Sequence, residues 1–171
     1  TDTVACADLL LPAATWGEKE GTVTNSERRI SRVRAAMAAP GEARQDWAIA
    51  RDFALQLGAE LGRRDAARLF GYAGPEAVFD EHRESTRGRD LDITGMTYLL
   101  LEKAGPQQWP LREGESVGRA RLYADGRFAT ASGRARFAPV QHRATAEKTD
   151  ARFPLHFNTG RLRDQWHGMS R

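Results

Sequence analysis

Cysteine is nearly absent: Cys6 is the single cysteine among 171 residues. That excludes an internal disulfide, and any metal or cluster site built from cysteine thiolates within the chain. The four histidines are scattered and fall at no metal-ligand spacing. No apolar run approaches the ~20 residues that a membrane-spanning helix needs. A surplus of one charge is lacking too: 29% of residues are charged, yet the formal net charge is only +3. A dedicated nucleic-acid binder concentrates Lys and Arg on one face, so this mild balance argues against one. The chain opens at Thr1 without methionine or leader and reads as an internal piece of a longer protein. The missing leader therefore says nothing about compartment.

The length is enough to bury a core as one domain. The stretch around which the chain is organised is Pro12 to Arg34, P-A-A-T-W-G-E-K-E-G-T-V-T-N-S-E-R-R-I-S-R-V-R. It follows the apolar run Leu9, Leu10 and Leu11, and it is too polar and too rich in turn residues to be more strand. Gly17 and Gly21 let a ligand approach the main chain closely. A strand ending in such a loop is where open α/β sheets place ligands. A solvated surface loop of mixed charge fits the same composition. Between residues 16 and 34 stand five cations (Lys19, Arg28, Arg29, Arg32, Arg34) and three anions (Glu18, Glu20, Glu27). That surplus suits a pyrophosphate, and equally a surface loop with weak ion pairs.

In chain order, residues 1 to 11 read as a buried parallel strand with Cys6 as a small buried hydrophobe. Residues 30 to 35 alternate as a short exposed strand, and Pro40-Gly41 closes it with a turn. Asp46 precedes a helix whose apolar stripe is Trp47, Ala50, Phe53, Ala54, Leu57 and Leu61. Asp46 suits its N-cap, Trp47 its core face, and Gly58 or Gly62 its end. Further short helices fill 65 to 105: one starts at Pro75, and a last one through Tyr98 is capped by Asp92 or Thr94 and stopped by Gly105-Pro106. His82 and His142 read as surface residues. Residues 119 to 140 read as β structure with turns at Asp125-Gly126 and Ser132-Gly133. A polar linker spans 141 to 152. Phe153, Leu155 and Phe157 alternate as a strand running into Thr159-Gly160-Arg161 and a helical turn through Trp166-His167-Gly168. Strand, glycine turn and helix start can aim backbone N–H groups at an anion. An ordinary strand-to-helix connection fits too. The shift from helix-rich to strand-rich sequence near residue 106 marks the boundary.

The segment A-D-L-L-L-P-A-A-T-W-G-E-K-E-G-T-V-T-N-S-E-R-R resembles the late part of the catalytic subunit in the dimethyl sulfoxide reductase family of molybdenum enzymes. T-G-R-L-R-D-Q-W-H-G-M-S-R supplies a second match in the family's order. Within the family the chain is most similar to assimilatory nitrate reductases, though residues 64 to 120 match loosely. The fold this implies is α/β: residues 1–106 end a dinucleotide-binding α/β domain with a helical extension, and 107–171 are β-rich and open a C-terminal β-barrel domain. Both parts would be incomplete, so the Leu9–Leu11 and Phe153–Phe157 segments are expected to expose apolar surface.

The cofactor so implied is molybdenum bis(molybdopterin guanine dinucleotide), with a four-iron–four-sulfur cluster in the full-length protein outside this segment. The resemblance carries Lys19, Asp46 and the run Thr159, Gly160, Arg161, Leu162, Arg163, Asp164, Gln165, Trp166, His167 and Gly168 onto cofactor-contacting positions. Asp46 would accept the adjacent N1–H and amino donors of guanine, and Lys19 would serve a phosphate or ring carbonyl. Thr159, Gly160 and Arg161 would supply further donors, with Trp166 and His167 nearer the pterin. The two segments are expected to wall one cleft. The molybdenum ligand, like the cluster cysteines, lies outside the chain, so none of these residues is expected to be catalytic. The implied reaction is reduction of nitrate to nitrite in the cytoplasm, fed by an electron-donor protein or reductase subunit, without nucleic acid or membrane. Formate dehydrogenase chemistry is the alternative within the family. A basic nucleotide- or RNA-binding module is the alternative outside it, but only Trp16 could interleave with the basic residues for stacking.

Overall fold

The computed structural model describes residues 2–158 and residue 160. The chain divides into two compact units, Thr1–Arg134 and Ala135–Arg171.

The first unit is built on a three-stranded antiparallel sheet in the order β1 (Gly21–Thr24), β2 (Arg29–Val33) and β3 (Gln107–Gln108). The β1–β2 hairpin pairs Gly21 with Val33 and Thr24 with Ile30. Asn25 organises its turn by accepting the Glu27 and Arg29 amides on Oδ1, each at 3.0 Å. Residues 30 to 33 are thus strand as the alternation predicts, but the strand is central, with Ile30 buried.

Among the described residues there are four α-helices: α1 (Asp46–Glu60) packs on α2 (Ala66–Phe70), while α3 (Pro75–Ser85) and α4 (Tyr98–Ala104) pack against the sheet. Pro75 opens α3, where its missing N–H would be unpaired anyway. Thr97, rather than Asp92 or Thr94, caps α4 by accepting the Leu100 amide at 3.0 Å. Gly105, at φ 73°, ends that helix. Helix α1 runs through Gly58, whose missing side chain admits α2: a Cβ there would lie 2.4 Å from Ala66 Cβ. The core joins β2, α3, α4 and the loops beside them through Ile30, Phe79, Ile93, Met96, Tyr98, Leu101 and Leu111. Met96 and Leu111 are fully enclosed.

Several expectations are corrected. Residues 1 to 11 are not a strand: Asp2–Cys6 is a 3-10 helix, and Cys6 and Leu9 to Leu11 are exposed. A strand needs a neighbour to take its backbone hydrogen bonds, and among the described residues none lies beside this segment. The apolar stripe of α1 faces outward at Phe53, Leu57 and Leu61, and Trp47 is half-buried rather than core. Residues 119 to 140 form no strand: turns and bends occupy 120 to 134, with Gly126 (φ 71°) and Gly133 (φ 67°) in them where predicted, and 135 to 140 are irregular. The Gly126 amide bonds the Tyr123 carbonyl at 2.9 Å, closing a local turn instead of a two-strand ladder.

In the second unit residues 141 to 158 are irregular and exposed, so Phe153 to Phe157 is not a strand. Asp150 orders a turn there, its Oδ1 accepting the amides of Arg152 and Phe153 at 2.8 and 2.7 Å. The expected apolar exposure is present: Leu9 is 65% exposed and Phe157 96%. Among the described residues no helix is long and apolar enough to cross a membrane.

Candidate cofactor-contact site

Pro12 to Lys19 lies along the segment that leads into α1. Ala13 pairs with Arg44 in a parallel bridge: the Ala14 amide donates to Arg44 O at 2.8 Å and the Arg44 amide to Pro12 O at 3.1 Å. Trp16–Glu18 is one 3-10 turn, in which Glu18 accepts the Thr15 amide at 2.8 Å. The Gly17 carbonyl receives the amides of Ala36 and Met37. Predominantly backbone bonds therefore fix where Lys19 leaves the turn.

Lys19 meets Asp46 there. Its Nζ lies 2.5 Å from Asp46 Oδ2, with the lysine side chain 27% exposed and the aspartate 67%. The bond from the ammonium holds the Asp46 carboxyl below the usual carboxylate range. Asp46 is the first residue of α1, and the N-cap position belongs to Gln45. Gln45 Oε1 reaches back to the turn, accepting the Glu20 amide at 3.3 Å and the Trp47 indole N–H at 2.9 Å. Asp46 thus serves the helix as an anion in its first turn, where the macrodipole favours negative charge.

An ionised carboxylate beside an ammonium on an exposed turn can serve two kinds of ligand group. The carboxylate accepts paired N–H donors, and the ammonium carries three donors, of which this pair uses one. That donor set fits a purine edge together with an oxygen acceptor. Gly160 is exposed in the second unit, and a Cβ on it would meet no atom within 4 Å. Thr159, Arg161, Leu162, Arg163, Asp164, Gln165, Trp166, His167 and Gly168 lie outside the described residues.

The other cations of 16 to 34 have internal partners that the sequence did not reveal. Arg28, held at φ 64°, donates to the carbonyls of Trp109, Arg119 and Ala120, with its guanidinium 5.4 Å from the Trp109 ring centroid. Arg29 bonds Pro106 O at 3.1 Å, and Arg34 lies 3.0 Å from Glu102. Arg32 is largely enclosed, its side chain 12% exposed and its guanidinium carbon 3.6 Å from the Tyr98 ring centroid. The carbonyl partners of Arg28 and Arg29 and the aromatic partners of Arg28 and Arg32 sit far off in sequence, so no local pattern announces them. Each of these cations spends at least one donor on an internal partner, while the Arg29 and Arg34 side chains stay 41% and 64% exposed.

A family model described as molybdopterin oxidoreductase matches residues 1–56. The nitrate reductase of Synechocystis sp. is 41% identical over 176 residues, covering all of this chain and 24% of the relative. The assimilatory nitrate reductase of Haloferax mediterranei is 39% identical over 171 residues, 98% of this chain and 23% of the relative. The F420-dependent formate dehydrogenase subunit alpha of Methanocaldococcus jannaschii is 38% identical over 167 residues, again 98% and 23%. The chain spans about a quarter of the length of these curated relatives. Similarity along the whole chain, with the family model covering the Lys19 turn and Asp46, means that the chain belongs to the molybdopterin oxidoreductase family.

Proposed function

We propose that this chain is part of a molybdenum-dependent nitrate reductase and forms wall segments for a molybdenum bis(molybdopterin guanine dinucleotide) cofactor. The observation that carries the reading is the Lys19–Asp46 pair: a lowered carboxylate and an ammonium 2.5 Å apart, inside the stretch that the family model matches. Asp46 would accept the guanine N1–H and amino donors through charge-assisted bonds. Lys19, a compact point charge, would hold a phosphate or ring carbonyl with its remaining donors while keeping Asp46 ionised. Thr159 to Gly168 are proposed, from sequence alone, as further donors to the same cofactor.

When bound, the molybdenum centre supplies two-electron chemistry with oxygen-atom transfer, taking nitrate to nitrite. This chain's part is to bind and orient, so truncating its contacts should cost cofactor retention before anything else. The metal ligand and iron–sulfur cysteines are assigned to regions outside this chain, as is docking of an electron donor. A cytoplasmic location belongs to the same reading. So does the architecture, with residues 1–106 closing a dinucleotide-binding α/β domain and 107–171 opening a barrel domain. The exposed Leu9 to Leu11 and Phe153 to Phe157 segments support it, as apolar segments separated from the rest of a larger domain would be exposed in this way.

A second reading, formate dehydrogenase, is favoured by one observation: relatives of that name reach 38% identity against 41% for nitrate reductases. Viologen-linked assays on the full-length protein separate the two. Reoxidation of reduced viologen by nitrate is expected; formate-driven viologen reduction without nitrate turnover would replace the first reading with the second.

A further inference from the structure

Arg32 reaches from the core toward the Lys19 turn. Its Nη1 donates to Gly21 O at 3.1 Å and Val33 O at 2.7 Å, and its Nη2 to Glu20 Oε1 at 3.5 Å. Its Nε lies 3.7 Å from Glu102 Oε1, and its plane rests on the ring of Tyr98, a buried core residue. Glu20 in turn gives its amide to Gln45 Oε1. Arg32 therefore holds the residue after Lys19 directly, and that residue in turn bonds the residue before Asp46. We propose that Arg32 is a positioning residue for the Lys19–Asp46 pair, transmitting the rigidity of the Tyr98 core to an otherwise exposed ion pair.

The physical case rests on what each contact restrains. An arginine fork donates in fixed directions, so its bond to the Gly21 carbonyl orients the Gly21–Thr22 peptide while its bond to the Glu20 carboxylate restrains that side chain. An exposed lysine left to itself would spread over many rotamers, and an exposed pair would then contribute little. The Lys19 ammonium sits on Asp46 because the backbone on both sides is held. The inference depends on the Lys19–Asp46 site proposed above, but its readout is the state of the pair itself, measured without cofactor. Molybdenum retention tests that earlier reading separately.

The experiment follows the Asp46 carboxyl by NMR titration in the chain itself, comparing Arg32→Lys, Glu20→Met and Arg29→Ala. Arg32→Lys keeps the charge but loses the fork. The Asp46 midpoint should climb toward the ordinary aspartate value of about 3.9. Glu20→Met removes the acceptor together with a neighbouring negative charge, and by Coulomb's law alone the charge change would lower that midpoint. Loss of positioning raises it instead, so the sign separates the two causes. Arg29→Ala deletes a cation of the same hairpin that bonds Pro106 O and pairs with Glu27, away from the Arg32 contacts, and should leave the midpoint in place. If Arg32→Lys fails to fold, Glu20→Met decides. An Asp46 midpoint unchanged or lowered in Glu20→Met, or unchanged in a folded Arg32→Lys, overturns the proposal.

Discussion

The ammonium of Lys19 and the carboxylate of Asp46 meet at 2.5 Å across 27 residues of sequence, closing the turn after Pro12 onto the first residue of α1. Because the folded carboxyl is held down, its contribution is fully present above the unfolded aspartate value of about 3.9 and disappears as pH falls through the folded value. Lys19→Met should remove this dependence. Urea midpoints at pH 6 and pH 3 would then differ less in the variant than in the parent, with the loss falling at pH 6 and kept small by the exposure of Asp46.

How much of this was legible in the sequence divides by the range of the interaction involved. Helix α1, the start at Pro75, the stop at Gly105 and the turns at Gly126 and Gly133 follow from neighbouring residues, and the structure has them. The strand at 30 to 33 could be read from alternation, but its central place could not, because Gln107 and Gln108 pair with it from far along the chain. Leu9 to Leu11 and Phe153 to Phe157 carry apolar content that looks like strand. Within the described residues they have no neighbouring strand to pair with. The five cations were visible as a surplus. That four are arginines tied to carbonyls, carboxylates or rings was invisible, since a carbonyl has no sequence signature.

Asp92 illustrates a buried carboxylate whose role is structural. Its Oδ1 accepts the Thr94 amide at 2.9 Å and hydroxyl at 2.6 Å, and its Oδ2 accepts the Gly88 amide at 2.8 Å. Burial alone would raise its pKa, but these bonds together outweigh it and hold the carboxyl below the usual range. Its stabilisation is therefore present above about pH 3.9 and lost on acidification through the lower folded value. Asp92→Ala strands donors in a buried loop and should cost roughly 3 kcal/mol in denaturant unfolding at neutral pH, with Asp92→Asn falling between it and the parent.

The outward face of α1 and α2 should bind apolar dyes. Phe53, Leu57, Leu61, Leu69 and Phe70 are exposed, and several line a hollow of about 280 Å³ between the helices. A contiguous apolar surface of this kind marks a covered or interacting face. The isolated chain should enhance the fluorescence of an anilinonaphthalene dye. Leu57→Gln with Leu61→Gln should cut that signal at least about twofold with a modest change in unfolding midpoint, because both side chains are already largely open to solvent. A parent chain that leaves the dye dark would show this face to be closed in solution.

The central claim, that Asp46 and Lys19 contact the cofactor, is tested most directly by metal content. Molybdenum and guanine nucleotide are measured in the purified full-length protein for the parent, Asp46→Asn and Lys19→Met, with Arg34→Ala as a control whose exposure is close to that of Asp46. Losing a charged partner to a buried hydrogen-bonded group is worth about 1.5–3 kcal/mol, so both site variants should retain roughly a tenth or less of the parent's molybdenum under a competing chelator. Full retention in Asp46→Asn and Lys19→Met alike, with folding intact, would contradict the account.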